Sequence, residues 1–226
     1  ADGRNSIIRE LAAINYSKKT YKESILVTEI IHSIQNKNTS FEIHRNGSLL
    51  TSVPTSNRKS AIVMIDTAEK IDNIDPDNLN KTIHDGLSTY LGNTTVSDKY
   101  SIFPSETINA EKLYRNRVML VGESAHVIPP IGAQGLNLGL RDIITFYDLL
   151  SNSNAKDPGA KTILSSYNNM RWLDIYKRYK SVNLLYQSMM NNNVGYSALR
   201  NIGFLTLNKS RTVRNMLLTE GLSFNK

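Results

Sequence analysis

The alternation of apolar and polar residues in the first half of the chain predicts a β-rich region that follows one short helix. Helical spacing of apolar residues covers residues 6–13. Short runs rich in Ile, Val and Thr then lie between residues 21 and 101, and they predict strands. Within them, Asn46-Gly47 predicts a hairpin, because this pair accepts the positive φ angles of a type I′ turn.

Two further patterns predict elements with defined ends. A helix is expected to begin at Asp75 or Asp77, to continue to Leu91 and to stop at Gly92. The run from Val118 to Val121 is fully apolar, so we expect a buried, central strand there. The chain after residue 142 has the pattern of helices, with a turn at "DPGA" between two of them.

Composition restricts the possible chemistry. The chain has 226 residues, of which 40% are hydrophobic, enough for one domain core or for a large part of a two-lobed protein. It contains no cysteine, which excludes disulfides, thiolate metal sites and a cysteine nucleophile. No apolar run reaches the roughly 18 residues of a transmembrane helix, and no secretory signal is visible.

The net charge of +7 lies in the C-terminal part of the chain. From Arg171 onward there are nine basic and two acidic residues, a difference equal to the whole excess. A basic helical tail suits an anionic lipid surface or a nucleic acid, and it equally suits a solvated helix face. No nucleic-acid-binding module is recognisable, so we expect no nucleic-acid partner.

The segment "RVMLVGESAHVIPPIGAQGLNLGLRDIITFYDLL" predicts a strand, a stiff glycine-rich loop and a helix. Pro129 and Pro130 have a fixed φ and no N–H group, so we expect an extended wall. The helix should begin near Gly135 and run to about Leu150. Its partnerless N–H groups and positive end suit an anion, or a ring that becomes anionic. Its apolar residues at helical spacing are Leu136, Leu140, Ile143, Ile144 and Tyr147.

Three other interpretations of this segment compete with a ligand-binding loop. "GESAH" is close to the Gly-x-Ser-x-Gly elbow of serine hydrolases, but that elbow needs a helix directly after the serine and a histidine downstream. All four histidines lie at or before this motif. A P-loop would need Gly-Lys-Ser/Thr, which is absent. The third use is a glycine-rich turn with a structural role only.

The segment resembles the second flavin-binding motif of class A flavoprotein monooxygenases, the para-hydroxybenzoate hydroxylase type. That motif reads Gly-Asp-Ala-Ala-His-x-x-x-Pro-x-x-Gly-x-Gly-x-Asn-x-Gly-x-x-Asp, and here the sequence is "GESAHVIPPIGAQGLNLGLRD". "ADGRNSIIRE" resembles the family's Asp-Gly motif, "ADGxxSxxR". The tail "LRNIGFLTLNKSRTVRNMLLTEGL" is similar to the ubiquinone-biosynthesis branch. The resemblance therefore covers nearly all of the chain.

The resemblance implies a fold and a division of the chain. The fold would be α/β, or α+β within these residues, with a β-sheet substrate domain and a helical C-terminus. Residues 1–20 and 111–155 would belong to the FAD-binding domain, residues 21–110 to the substrate-binding domain and residues 156–226 to the C-terminal helical region. Family members also carry a βαβ unit with Gly-x-Gly-x-x-Gly, which binds the ADP half of FAD and which this sequence lacks. We therefore expect the C-terminal part of a longer, split or truncated flavoprotein.

The resemblance also assigns roles to the Asp-Gly motif and to two polar residues of the second motif. Residues expected near the FAD pyrophosphate are Asp2, Gly3, Arg4, Ser6 and Arg9, although Asp2 is also typical of a helix cap. His126 could be a base, but a buried, hydrogen-bonded histidine is the favoured interpretation, so no catalytic residue is assigned. Asp142 is expected to close the network of the helix.

The remaining flavin contacts are expected along the second motif. Gly122 would end a strand, and Glu123 replaces the aspartate that binds the ribityl hydroxyls in the family. Pro129 and Pro130 would border the flavin ring and the substrate. The pyrimidine edge of the ring would face Gly132, Ala133, Gln134, Gly135, Leu136 and Asn137.

The function implied by the resemblance is hydroxylation of the aromatic ring of a polyprenylated phenol in ubiquinone biosynthesis. FAD would be the cofactor, NAD(P)H the electron donor and O₂ the oxidant. We expect cytoplasmic location, peripheral on the inner membrane, with anionic lipid and other ubiquinone-biosynthesis proteins as partners. Two alternatives remain: a hydroxylase of another aromatic substrate, and a non-catalytic remnant or subunit of a split flavoprotein.

Overall fold

The computed structural model describes residues 1–45, 47–131, 134–153, 157–190 and 194–215, and it divides into two compact units. Unit 1 contains the described residues of Ala1–Lys19, Glu106–Ser188 and Val194–Lys226, and unit 2 those of Thr20–Ser105 and Met189–Asn193. Both helices and an antiparallel sheet are present, as predicted. The helices are α1 (Ile7–Leu11), α2 (Ala68–Asp72), α3 (Pro76–Leu91), α4 (Gln134–Ser151), α5 (Lys161–Met190) and α6 (Val194–Lys209). The strands are β1 (Tyr16–His32), β2 (Phe41–Arg45), β3 (Ser48–Ser56), β4 (Lys59–Thr67), β5 (Thr94–Ala110), β6 (Tyr114–Arg115), β7 (Val118–Met119) and β8 (His126–Val127).

Unit 2 is built on a sheet with the strand order β2-β3-β4-β1-β5. The pairs β2–β3, β3–β4 and β4–β1 are antiparallel. Along β1, the buried positions alternate from Ser24 to His32, because successive side chains of a strand point to opposite faces. The β-rich prediction for this region is therefore confirmed.

Helix α3 packs in the apolar core of unit 2, and the sequence signals for both of its ends are confirmed. The carboxylate of Asp75 accepts the N–H of Asn78 at 2.8 Å and caps the first turn. Gly92 ends the helix with φ 71°, where a Cβ would also lie 2.3 Å from Ser33 Oγ. The buried face of the helix consists of Leu79, Ile83, Leu87 and Leu91.

Two predicted turns are present. In the hairpin between β2 and β3, Arg45 pairs with Ser48 and Gly47 has φ 82°, while Asn46 lies outside the described residues. In "DPGA", the Asp157 carboxylate accepts the N–H of Gly159 at 2.9 Å. A two-pronged hydrogen bond from Arg117 lowers the pKa of Asp157 to about 2.

The prediction of a central strand from Val118 to Val121 is wrong. The structure has only the two-residue strand β7, which pairs with β6 in a small hairpin, and both of its residues are half-buried. Leu120, next in the chain, is fully buried in the core of unit 1. A short apolar run indicates burial without specifying a sheet, and here the burial comes from packing against helices.

Helix α4 begins within one residue of its predicted start, but it faces the opposite way from the predicted apolar stripe. Its buried residues are Leu138 and Asp142, with Phe146 and Leu149 partly buried against the same core. The predicted stripe is exposed to between 39% and 75%: Leu136, Leu140, Ile143, Ile144 and Tyr147. Helical periodicity located the helix but did not identify the face that packs in this chain.

The predicted helical C-terminal region is confirmed for the described residues, where α5 and α6 follow α4. Helix α5 belongs to unit 1 as far as Ser188, and its Tyr167, Ile175 and Val182 are buried in the core of that unit. Among the described residues, no helix is both long and apolar enough to cross a membrane.

Candidate flavin site

The two motif segments meet at an ion pair in unit 1. The Nε and Nη2 atoms of Arg4 each donate to a carboxylate oxygen of Glu123 at 3.2 Å, although 119 residues separate the two in the chain. A guanidinium fork that binds both oxygens of a carboxylate fixes direction as well as distance. The structure thus brings together the Asp-Gly motif and the second motif, which the sequence resemblance assigned to one cofactor.

Three glycines of the predicted site leave open space in front of their backbone. Gly3 and Gly122 have φ 85° and 64°, a region that side-chain-bearing residues rarely adopt. A Cβ placed at Gly3, Gly122 or Gly135 would meet no described atom within 4 Å beyond its chain neighbours. Gly135 lies outside the left-handed region, so openness rather than backbone conformation distinguishes it. This open backbone is what a flat ligand needs for close approach.

The first turn of α4 presents the positive end of an 18-residue helix. The first N–H groups of any helix have no partner inside it and can bind a ligand. Gly135 and Leu136 are exposed, and Gln134 and Asn137 are half-buried. The other two predicted contacts, Gly132 and Ala133, lie outside the described residues.

The expected extended wall at the two prolines is wrong. The N–H of Ile131 donates to the carbonyl of Pro129 at 2.8 Å, which makes a three-residue turn centred on Pro130. Pro129 is buried and Pro130 is exposed. The fixed φ of proline is compatible with such a turn as well as with an extended chain. Only the ring of Pro130 is therefore presented to the surroundings.

Asp2 organises the start of α1. Its carboxylate accepts the hydroxyl of Ser6 at 2.5 Å and the N–H of Ile8 at 3.1 Å. The hydrogen bond from Ser6, and then that from Ile8, lowers the pKa of Asp2. Ser6 in turn accepts the N–H of Arg9 at 2.9 Å and is the N-cap. Ser6, and not Asp2, is therefore the N-cap, and Asp2 supports the first turn through Ser6 and the Ile8 N–H.

Arg9 supports the backbone of both motifs. Its side chain is buried, and it donates to the carbonyl of Ser124 at 2.9 Å and to that of Arg4 at 3.0 Å. The guanidinium also lies 3.9 Å from the ring centre of Tyr16. It therefore holds the two segments in place, and its expected position near the FAD pyrophosphate stays a prediction.

Asp142 is the centre of a buried polar network, as expected. Its Oδ2 accepts the N–H of Gly122 at 2.9 Å and lies 2.8 Å from Nε2 of His126. Its Oδ1 accepts Nε of Arg171 at 2.8 Å, and the carboxylate is fully buried. Burial opposes the charge of Arg171, but Asp142 and Asp174 outweigh it and raise the pKa of Arg171. The buried, hydrogen-bonded interpretation of His126 is confirmed.

Two features of the site were missed from the sequence. Glu106 is buried, accepts Nζ of Lys18 at 2.7 Å and lies 3.9 Å from Arg4. Arg171 and Arg178 were counted with the basic tail, yet both form ion pairs with Asp174. The spacing of Asp174 to these arginines, three and four residues, was the available signal for those pairs.

The serine-hydrolase alternative does not fit the geometry. Ser124 is buried, and its hydroxyl donates to the carbonyl of Val121 at 2.8 Å. The same oxygen accepts the N–H of Val121 at 3.2 Å. An elbow nucleophile must instead be exposed at the top of a strand-to-helix turn. Ser124 here closes a structural turn.

Comparison with protein families shows which kind of ligand-binding domain this chain contains. Residues 1–175 match the family described as FAD binding domain. The chain belongs to this FAD-binding family. The family prediction and the FAD prediction are thereby confirmed, and the open glycines Gly3, Gly122 and Gly135 fit such a cofactor.

Similar proteins from several organisms carry related names. The chain is 25% identical to a ubiquinone hydroxylase of Neisseria meningitidis over 89% of this chain and 45% of that protein. It is 23% identical to the 3-demethoxyubiquinol 3-hydroxylase of Escherichia coli, over 98% of this chain and 58% of that protein. The chain thus spans about half the length of the curated relatives it matches.

Solved structures share the fold. The p-nitrophenol 4-monooxygenase of Pseudomonas putida matches with a TM-score of 0.75 at 16% identity, over 100% of this chain and 59% of that protein. The Diels-Alderase of pyrroindomycin biosynthesis also has a TM-score of 0.75, at 17% identity, over 100% of this chain and 50% of that one. These matches confirm the predicted fold class.

Proposed function

We propose that this chain forms the flavin-ring and substrate part of an FAD-dependent monooxygenase of ubiquinone biosynthesis. The observation that carries the proposal is the Arg4–Glu123 pair, which joins the two FAD motifs beside Gly122. The family match supports the cofactor, and the names of the relatives support the pathway.

The proposed residues surround different parts of FAD. Asp2, Gly3 and Arg4 serve the pyrophosphate side, and Gly122 with Glu123 serves the ribityl chain. The first turn of α4, from Gln134 to Asn137, faces the pyrimidine edge of the ring. When bound, FAD supplies the activation of O₂, and the protein orients the ring and excludes water. A positive helix end favours the negative charge of the reduced ring.

The proposed substrate is a polyprenylated phenol. A ring C–H becomes C–OH, the second oxygen atom of O₂ leaves as water, and NAD(P)H supplies the two electrons. The test is incubation of the FAD-loaded full-length protein with NAD(P)H, a prenylated phenol and isotopically labelled O₂. We expect one labelled oxygen atom in the product ring. NAD(P)H oxidation that yields only hydrogen peroxide with every phenol would contradict the proposal.

A second candidate is a non-catalytic subunit of a split flavoprotein. The observation that favours it is the lack of Gly-x-Gly-x-x-Gly anywhere in the 226 residues. The labelled-oxygen experiment separates the two, because a subunit of this kind gives product only when a nucleotide-binding partner is added.

We also propose peripheral binding to an anionic inner membrane, where a polyprenyl substrate resides. Two arginines of the expected basic tail take no part in this binding, because Arg171 is buried and Arg178 is paired with Asp174. Other ubiquinone-biosynthesis proteins are expected partners in the same place. The described and exposed basic residues of this region are Lys177, Lys180, Lys209, Arg211 and Arg214.

Vesicle sedimentation tests this attachment. Each basic residue near an anionic surface contributes roughly 1 kcal/mol, and salt weakens the effect. We expect binding to anionic vesicles that decreases with added salt and with Lys177→Glu plus Lys180→Glu. Equal binding to neutral and anionic vesicles would remove the electrostatic basis of the proposal.

A further inference from the structure

A chain of ion pairs that ends in one hydrogen bond connects α5 to the first residue of α4. Arg178 Nη1 donates to Gln134 Oε1 at 3.1 Å, and its Nε donates to Asp174 Oδ1 at 3.1 Å. The second oxygen of Asp174 accepts Arg171, which in turn binds the buried Asp142. All of these residues belong to unit 1, and the Arg178 side chain is only 13% exposed.

The sign of the charge at this position is unusual. A helix N-terminus is already positive, so a neighbouring cation does not stabilise the helix itself. Asp174 holds Arg178 from the side of α5, whereas the guanidinium reaches Gln134 at the start of α4. Asp174 offsets part of the Arg178 charge, and the guanidinium group at Gln134 still adds positive potential to the helix start, which favours a negative ligand group beside it. That is the charge that a reduced flavin would bring to this edge.

We propose that Arg178 is a positioning residue for the flavin edge. It holds the first turn of α4 through Gln134, and its fixed charge stabilises the reduced flavin relative to the oxidised one. The second part rests on the proposed function, since it requires the ring to lie at this turn. In this proposal Arg178 acts through Gln134 and through its charge, which makes it a positioning residue and not a catalytic one.

The first test needs no cofactor. Hydrogen–deuterium exchange is measured on peptides that cover residues 134–138 in the full chain, for Arg178→Gln and for Lys177→Gln. Lys177 is the matched control, because it is the preceding residue, carries the same charge and is exposed. We expect exchange at least about fivefold faster in Arg178→Gln and unchanged in Lys177→Gln. Arg178→Lys keeps the charge and one donor, and should fall between the two.

The second test uses the FAD-loaded protein and measures the midpoint potential of the flavin. A tenfold loss of preference for the reduced form corresponds to about 30 mV for a two-electron couple. We expect a decrease of about this size in Arg178→Gln, partial recovery in Arg178→Lys and no change in Lys177→Gln.

The two measurements separate the inference from the function on which it rests. Unchanged exchange in Arg178→Gln would overturn the positioning role. Faster exchange with an unchanged potential and unchanged FAD affinity would keep the link between α5 and α4. It would show that the flavin does not lie at this turn, which contradicts the proposed function instead.

Discussion

At the scale of single residues, Gly135 tests where the flavin ring lies. A Cβ at this position would meet no described atom within 4 Å beyond its chain neighbours, so we expect Gly135→Val to keep the fold. In the full-length protein, the added β-branched group would occupy the space proposed for the ring. FAD content, read from flavin absorbance of the purified variant, should fall to near zero.

The matched control for this change is Gly203→Val. Gly203 is also a helical glycine with open space in front of it, and it lies in α6. Both changes replace a helical glycine by the same residue, so a general effect of helix propensity on stability would be alike in the two variants. Equal FAD content in both variants would show that Gly135 does not face the cofactor.

Asp142 is the residue on which the stability of the site should depend most. Asp142→Asn would remove the buried one of the two carboxylates that pair with the Arg171 guanidinium, and breaking a buried ion pair costs about 3–5 kcal/mol. The control is Asp157→Asn, whose partner Arg117 is exposed, and which should change stability little. Urea unfolding of both variants measures the difference. Similar midpoints for the two would contradict a structural role of the buried network.

Residues differ in how far the sequence could specify them. The helix stop at Gly92 was predictable from a local signal, and the two motifs identified Gly3 and Gly122, whereas the positive φ angles of Gly3 and Gly122 come from the structure. The burial of Arg171 could not be read in the same way, because it depends on Asp142, which lies 29 residues away. Charge counting places an arginine on the surface until a tertiary partner is known. The same reason explains why Glu106 was missed.

At the scale of elements, strands and helix α3 were predictable because their signals are local. Alternation, the Asp75 cap and the stop at Gly92 each act within a few residues. The short length of strand β7 and the orientation of α4 were not predictable, because both depend on which other elements pack against them. Helix α4 has an apolar side and a mixed side, and the mixed side carries Leu138 and Asp142 into the core of unit 1.

The exposed apolar stripe of α4 predicts self-association of this chain. Patches of this kind mark interaction surfaces or sites of aggregation. We expect Leu140→Lys together with Ile143→Lys to reduce concentration-dependent association, measured by sedimentation velocity. The free energy of unfolding should change little, because both side chains are largely exposed. Unchanged association would show that the stripe is not the contact surface.

At the scale of the whole molecule, the family could be predicted from the sequence, whereas the contact between its two motifs is seen only in the structure. The resemblance assigned two segments that are far apart in the chain to one cofactor, and in unit 1 Arg4 contacts Glu123 directly across 119 residues of sequence. What the 226 residues do not contain is a Gly-x-Gly-x-x-Gly unit for the ADP half of FAD. Several hydrogen bonds to the ADP half of FAD, each of about 1 kcal/mol, therefore cannot come from such a unit within these residues.

Flavin affinity of this chain by itself tests the account most directly. FAD and riboflavin are titrated against residues 1–226, with quenching of flavin fluorescence as the signal. A deficit of about 1.4 kcal/mol in binding free energy is a tenfold loss in affinity. We therefore predict weak FAD binding, with a Kd that is micromolar or higher. Riboflavin should bind within about tenfold of FAD, since both would use mainly the Gly122 and α4 contacts. Submicromolar FAD binding with strong discrimination against riboflavin would contradict the account, because it would place the ADP contacts within this chain.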